Sequence, residues 1–230
     1  MPVRSVLVDF DGTACLHDVA EHLMDAFGEP GWRVWDEAWE RGEVDTREAL
    51  RAQVAPFRAS ARELIDFAVA HCPLDPTFAP FVRWCRGEGV PVTLVSDGLG
   101  LYIGPLLAAA GIEDVAIVTN DWDGGRMAFP NGHHECTWCG TCKMLAVQRA
   151  PGPVAFVGEG ASDRYGALYA DLVFAKDTLP AYCDEAGVPW LPWTDFDDVR
   201  RWLETRDELP GPVAPLRCPG WRSPPPSPTG

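Results

Sequence analysis

Val6-Leu7-Val8-Asp9-Phe10-Asp11-Gly12-Thr13 is the stretch that decides the fold of this chain. Its apolar run predicts a buried strand, and two carboxylates spaced two apart follow directly. Alternation along a strand puts Asp9 and Asp11 on one side, at the sheet edge where α/β proteins bind ligands. Two acids there are costly without a cation, and Mg²⁺ accepts one or two carboxylates with water and phosphate completing its shell. The alternative for the bare string is a strand that ends in an ordinary Asp-Gly turn.

Composition and charge limit the function. The chain has 230 residues, 47% of them hydrophobic, which suits one domain with an insertion or two small domains. A net charge of −15 and a pI near 4.6 argue against a nucleic-acid partner, which would need a basic face. No apolar stretch is long enough to span a membrane and no signal peptide precedes the first strand, so we expect a cytoplasmic protein without a membrane partner. We therefore expect the eight cysteines to be free thiols or metal ligands.

Residues 14–80 are predicted to form an all-helical insertion. Amphipathic patterns run through 17–27, 32–41, 46–54 and 60–70, and Ser60 with Glu63 matches a capping box. A helical segment that leaves the sheet just after Asp11 is well placed to close over that turn as a lid. Its thirteen acidic residues against six arginines disfavour polyanionic substrates and favour a single phosphate on a neutral or cationic body.

Three tryptophans in this insertion recur at roughly helical spacing: Trp32, Trp35 and Trp39. Such a stripe is typical of residues that pack a helical bundle. The alternative is an aromatic box that binds substrate.

From residue 78 onward the pattern alternates between strand and helix, which indicates βαβ units. Strands are predicted at 91–95, 153–157, 171–175 and 188–191, a hairpin at 115–119 with 126–129, and helices at 78–88, from about 101, at 143–149 and at 195–204. The segment from Pro210 is rich in proline, so we expect disorder there.

Polar groups follow two more of these strands. Ser96-Asp97-Gly98 ends the strand at 91–95, where a hydroxyl and backbone N–H groups would suit phosphate oxygens, although an ordinary turn fits as well. Glu159 and Asp163 follow the strand at 153–157, and Lys143 opens the helix before it. Three strand ends and one helix start thus carry candidate site residues.

In this order and spacing, the four elements resemble the four motifs of the haloacid dehalogenase phosphatase superfamily. The resemblance spans about residues 3–205 and implies an α/β fold, a Rossmannoid parallel sheet flanked by helices with an inserted all-helical type-I cap. It implies a catalytic core of residues 1–13 and 81–208, a cap of residues 14–80 and a Pro-rich disordered tail at 209–230. Within subfamily IB, the segments at 95–98, 139–143, 162–164 and 174–183 are similar to two groups. These are the methionine-salvage 2-hydroxy-3-keto-5-methylthiopentenyl-1-phosphate phosphatases and the phosphoserine and phosphocholine phosphatases.

The resemblance implies a role for each motif residue. Asp9 would attack phosphorus to form an aspartyl-phosphate, while Asp11 protonates the leaving alcohol and then activates water. A carboxylate is a feasible nucleophile, and phosphoryl transfer demands mainly positioning and neutralisation of charge. The implied phosphate binders are Gly12, Ser96, Asp97, Gly98 and Lys143, and the implied Mg²⁺ ligands are Asp9, the Asp11 main-chain carbonyl, Glu159 and Asp163. The expected partner is a small-molecule phosphate monoester, and the expected assembly is a monomer or homodimer.

One position departs from the superfamily pattern. The first acid of the fourth motif is usually Asp, and here it is Glu159. Because Mg²⁺ demands near-ideal octahedral geometry, the longer side chain favours a second hypothesis, a catalytically weak relative that serves as a binding or regulatory protein. Phosphonatase chemistry is disfavoured, since residues 14–80 contain no lysine for a Schiff base.

A Cys-rich segment precedes Lys143. Cys136, Cys139 and Cys142 are spaced three apart, with His133 and His134 just upstream, and the three thiols with one imidazole, that of His134, can bind structural zinc. Packing of a loop beside the active site and a redox-sensitive thiol pair are the alternatives.

Overall fold

A seven-stranded sheet, parallel except at one edge, forms the centre of the molecule. The computed structural model describes residues 3–113, 115–205, 209 and 218. The sheet order is β4-β3-β2-β1-β5-β6-β7, and only the β3–β4 pair is antiparallel. This arrangement confirms the α/β fold class. The strands are β1 Ser5–Val8, β2 Val92–Leu99, β3 Ala116–Trp122, β4 Met127–Ala128, β5 Val154–Gly158, β6 Leu172–Ala175 and β7 Leu191–Pro192.

Helices flank the sheet and fill the insertion between its first two strands. Four of them follow β1: α1 Val19–Phe27, α2 Val34–Glu40, α3 Thr46–Val54 and α4 Ala61–His71. The others are α5 Phe78–Gly87, α6 Gly100–Ala109, α7 Lys143–Arg149, α8 Arg164–Ala167, α9 Leu179–Ala186 and α10 Phe196–Thr205.

Side-chain caps set where the insertion helices begin. Asp18, Asp45 and Ser60 each accept a hydrogen bond from the backbone three residues on. The predicted capping box of Ser60 and Glu63 is confirmed. Because Asp18 is the cap, α1 begins at Val19 rather than at residue 17. A bridge between Cys15 and Leu74 joins the two ends of the insertion.

Alternation along β1 divides the core between the two faces of the sheet. Val6 and Val8 belong to a cluster on one face, whereas Leu7 belongs to a second cluster on the other. All four residues of β1 are buried. The central strand is therefore fixed from both sides, and the turn that follows it starts from a rigid base.

Several boundaries differ from the sequence prediction. β1 ends at Val8, so Asp9 and Asp11 lie in a turn and not on the strand. β2 continues through Ser96 to Leu99, with a register irregularity after Val95. β7 starts three residues later than predicted, and the short α8 was not predicted. Within the described ranges, no helix is long and apolar enough to cross a membrane. The tail predicted to be disordered lies, apart from residues 209 and 218, outside the described residues.

Candidate active site

The carboxyl ends of the parallel strands surround a single cavity. It encloses about 610 Å³ of empty space, its open mouth included. The Asp9 turn follows β1, Ser96 lies in β2, and Glu159 follows β5, so neighbouring strands deliver these groups to one edge of the sheet. Helices α1, α2 and α3 supply the opposite wall. The lining residues are Asp9, Asp11, Asp18, Ala20, Glu21, Met24, Trp32, Asp36, Leu50, Gln53, Ser96, Asp97, Gly98, Glu159 and Ser162.

A buried lysine links three of the candidate residues at the base of this cavity. Lys143 Nζ lies 2.6 Å from Asp9 Oδ1, 2.6 Å from Asp163 Oδ1 and 3.0 Å from Ser162 Oγ. Side-chain exposure is only 1% for Lys143, 6% for Asp9 and 0% for Asp163. The other Asp163 oxygen accepts hydrogen bonds from the backbone N–H groups of Glu159 and Gly160. Asp163 therefore anchors both Lys143 and the loop after β5.

The charges in this cluster do not balance. Burial and the charge of Asp163 raise the pKa of Asp9 well above its ordinary value, although Lys143 acts in the opposite direction. Burial would lower the pKa of Lys143, but the charges of Asp163 and Asp9 outweigh it and raise that pKa. Burial is thus the larger cause for Asp9, and the neighbouring carboxylates, which outnumber the lysine, contribute to both shifts.

Asp11 is held in one orientation by donors from three elements. Its Oδ1 accepts from the Val19 backbone N–H at 2.9 Å, and its Oδ2 accepts from Ser96 Oγ at 3.2 Å and from the Tyr102 hydroxyl at 3.3 Å. Burial raises the pKa of Asp11 to about 6, against the effect of these hydrogen bonds. A carboxyl group with such a pKa can both carry and release a proton near neutral pH.

The way in which Asp9 and Asp11 reach the same cavity differs from the prediction. Strand alternation does not place the two side chains on one side, because the chain leaves the strand at Val8 and enters a tight turn over Phe10–Ala14. Gly12 in this turn has φ +70°, a conformation that glycine adopts without strain. A Cβ on Gly12 would lie 3.0 Å from the Glu159 carboxyl carbon, so the turn also leaves space for that side chain.

The predicted phosphate-binding residues divide into two groups. Ser96 and Gly98 lie beside Asp11: Ser96 Oγ accepts from the Gly98 N–H at 2.8 Å, and a Cβ on Gly98 would lie 2.6 Å from Asp11 Oδ2. Asp97 lines the cavity but accepts a hydrogen bond from the Thr141 N–H, and its main-chain carbonyl accepts from Asn120. Asp97 thus ties β2 to the segment that leads into Lys143.

The donor set suits a hard divalent cation. Within the described part of the chain, no three or more His, Cys, Asp and Glu side chains form a group that could hold a metal ion. Mg²⁺ needs only one or two carboxylates, because a main-chain carbonyl, water and substrate phosphate fill its remaining positions. Asp9 and Glu159 lie beside the turn that carries the Asp11 carbonyl, where several acids share the single positive charge of Lys143. Burial, together with the charges of Asp163 and Asp177, raises the pKa of Glu159 to about 7.

Sequence patterns did not identify several residues of this site. Tyr102 is fully buried and contacts Asp11 from α6, while Ser162 contacts Lys143. Asp36 and Gln53 reach the cavity from α2 and α3. Ser162 lies in the fourth-motif segment, although no role was predicted for it. No motif marks Tyr102, Asp36 or Gln53, which reach the site through the packing of α6 and of the insertion on the sheet. Of the three tryptophans, only Trp32 is among the described lining residues.

The Cys-rich segment surrounds a separate small cavity. Cys136, Cys139 and Cys142 line it together with His133 and Cys218. His134, the predicted fourth zinc ligand, is exposed beside Glu135 and does not line it. All eight cysteines are free thiols. Because no three or more His, Cys, Asp and Glu side chains of the described residues form a group that could hold a metal ion, the structure gives the zinc prediction no support.

Comparisons with known proteins agree on one family. The model of haloacid dehalogenase-like hydrolases matches residues 6–167. A 2-hydroxy-3-keto-5-methylthiopentenyl-1-phosphate phosphatase from Brevibacillus brevis is 32% identical over 206 residues, which are 85% of this chain and 93% of the relative. A protein of the same name from Geobacillus kaustophilus is 30% identical over 83% of this chain and 91% of its own length. The solved structure of a phospho-aspartyl intermediate analogue of phosphoserine phosphatase shares the fold, with a TM-score of 0.65, 16% identity, and coverage of 88% of this chain and 99% of that one.

Proposed function

This chain belongs to the haloacid dehalogenase-like hydrolase family and is one of its phosphatases, and from that premise we propose that it is a Mg²⁺-dependent phosphomonoesterase that works through an aspartyl-phosphate at Asp9. Its substrate is a small phosphorylated metabolite, of the general kind named for the Brevibacillus brevis relative. The observation that carries the proposal is that Asp9, Asp11 and Ser96 line one cavity, while Lys143 forms an ion pair with Asp9 beneath it.

The first half-reaction transfers the phosphoryl group to the protein. An Asp9 carboxylate oxygen attacks phosphorus, the ester P–O bond breaks, and the departing alcohol oxygen takes the proton held by Asp11. Burial raises the pKa of Asp11, so that this carboxyl group can hold a proton near neutral pH, and its three hydrogen-bond donors fix its orientation. Lys143 and the Ser96 hydroxyl neutralise and position the phosphoryl oxygens.

The second half-reaction restores the protein. Asp11, now a carboxylate, takes a proton from water as the water oxygen attacks phosphorus, and the bond between phosphorus and Asp9 breaks to release inorganic phosphate.

The Asp9 carboxylate, the Asp11 carbonyl and Glu159 would hold Mg²⁺, with Asp163 linked through water because both of its oxygens already accept hydrogen bonds. When bound, the cation would neutralise part of the negative charge on the phosphoryl oxygens and on the buried acids.

Phosphate release from a panel of phosphomonoesters with Mg²⁺ tests this proposal. Wild-type protein should hydrolyse at least one small monoester, and Asp9→Asn should abolish turnover, because the amide is nearly isosteric but cannot attack phosphorus. The variant should stay folded, since Lys143 keeps its ion pair with Asp163. Asp66→Asn, an exposed position on α4, is the matched control and should keep full activity. Retention of a tenth of the wild-type rate in Asp9→Asn would contradict the assignment.

A further inference from the structure

The wall of the cavity that faces the catalytic turn is acidic and partly aromatic. Helices α1, α2 and α3 place Glu21, Asp36 and Gln53 there, and the turn between α1 and α2 places Trp32 there. On this wall we propose that Asp36 determines the substrate class: it selects monoesters whose alcohol portion carries a hydrogen-bond donor, a hydroxyl or amino group, and it excludes those with a second anionic group. The inference rests on the proposed phosphatase function and extends it to the leaving group.

One oxygen of Asp36 is fixed and the other is available. Gln53 is 3% exposed and donates from Nε2 to Asp36 Oδ1 at 2.6 Å. Among the residues that the structure describes, none donates a hydrogen bond to Asp36 Oδ2 and no Arg or Lys forms an ion pair with Asp36. A half-buried carboxylate oxygen on a cavity wall is a strong acceptor for a ligand hydroxyl or ammonium.

No described cation forms an ion pair with Asp36. Burial raises the pKa of Asp36 and the negative charge of Glu21 adds to this effect, whereas the Gln53 hydrogen bond and the charge of Arg33 act against it. Arg33 is the nearby cation, but its guanidinium pairs with Asp25 at 2.7 Å and lies 3.9 Å from Glu21. It also covers the Trp32 ring at 4.2 Å from the centroid. Arg33 is therefore engaged on the outside of this wall and is not among the lining residues.

The lining of the cavity excludes a second anion more generally. Its described lining includes seven carboxylates and no Arg, Lys or His side chain. At the catalytic end, the positive charges of Lys143 and the proposed cation are neutralised by the phosphate of the substrate. A carboxylate or second phosphate on the alcohol portion would then face Asp36, with which no described Arg or Lys forms an ion pair, and this like-charge contact disfavours it electrostatically.

Three esters of similar size test the inference: 2-aminoethyl, 2-hydroxyethyl and carboxymethyl phosphate. We expect kcat/KM for either donor-bearing ester to exceed that for the carboxymethyl ester by at least about tenfold, since direct like-charge contact costs over a kcal/mol. Asp36→Asn should reduce this ratio, and Asp36→Lys should bring it to one or reverse it. Glu37→Lys makes the same charge change on the exposed face of α2 and should leave the ratio at the wild-type value.

Two controls keep this inference separate from the proposed function. Hydrolysis of p-nitrophenyl phosphate reports on the phosphatase chemistry alone. Binding of the three esters to Asp9→Asn, measured by calorimetry, gives the preference without turnover, so a failure of the proposed chemistry still leaves a decisive result. A carboxymethyl ester that is bound or hydrolysed as well as the others, or a ratio in Asp36→Lys equal to that of Glu37→Lys, would overturn the role of Asp36.

Discussion

At the scale of single residues, the proposed catalytic groups lie in recognisable sequence patterns, whereas some of the residues that contact them do not. Asp9, Asp11, Ser96 and Lys143 each belong to a short local pattern that marks a strand end or a helix start. Tyr102, which donates to Asp11, and Asp36 carry no such signal, because their positions depend on how α6 and α2 pack. Glu159 lies between these cases. The sequence predicts its position after a strand, but only the structure shows that Gly12 leaves space for its longer side chain.

Substitution of Glu159 tests its predicted role as a metal ligand. Glu159→Asp should keep or improve activation by Mg²⁺, whereas Glu159→Ala should raise the Mg²⁺ concentration for half-maximal activity by about tenfold or more. Metal titrations of the phosphatase rate measure this, with the exposed Glu185→Ala as matched control. Equal Mg²⁺ dependence in all four proteins would show that Glu159 is not a ligand.

At the scale of elements, the sequence predicted the helices of the insertion but not its attachment. The pattern at 46–54 coincides with α3, because Asp45 caps the helix and its apolar face is regular. Arg47 on α3 donates to the main-chain carbonyls of His133, Cys136 and Cys139 at 2.9–3.1 Å. These carbonyls belong to an irregular loop, and no sequence rule specifies which side chain will donate hydrogen bonds to such a loop. The loop leads directly into Lys143, so α3 and the base of the site are physically connected.

Arg47→Gln should loosen this connection. Loss of three hydrogen bonds from a charged donor should lower the free energy of unfolding by about 1–3 kcal/mol and speed amide exchange within residues 131–142. Urea denaturation and hydrogen exchange measure the two effects. Arg62→Gln removes an exposed pair on α4 and should change stability by no more than about 0.5 kcal/mol. Equal stability and equal exchange in the two variants would show that Arg47 does not hold the loop.

At the scale of the whole molecule, the buried acids make stability depend on pH and on the cation. Folding raises the pKa of Asp11 from 3.8 to about 6 and that of Glu159 from 4.5 to about 7. The folded protein therefore binds more protons than the unfolded chain between about pH 4 and 7. By linkage, these two groups lower the stability of the metal-free protein as pH rises through that range.

Mg²⁺ should oppose this loss, because it binds the ionised acids of the folded state. We expect MgCl₂ to raise the midpoint temperature of thermal unfolding at pH 7.5. The increase should be smaller at pH 5, where the acids are protonated. NaCl at matched ionic strength is the control for screening. An equal shift at both pH values, or an equal shift with NaCl, would contradict binding of the cation at these carboxylates.

In the proposed mechanism the phosphoryl group is transferred to Asp9, and this intermediate can be trapped. In Asp11→Asn the first half-reaction is slowed less than the second when the leaving group is p-nitrophenolate, which departs without a proton, so phosphorylated protein should accumulate. Acid quenching during turnover, followed by peptide mass spectrometry, should then locate one phosphoryl group on Asp9, and Asp9→Asn should carry none. Phosphate found on another residue, or turnover of p-nitrophenyl phosphate by Asp9→Asn, would contradict the account.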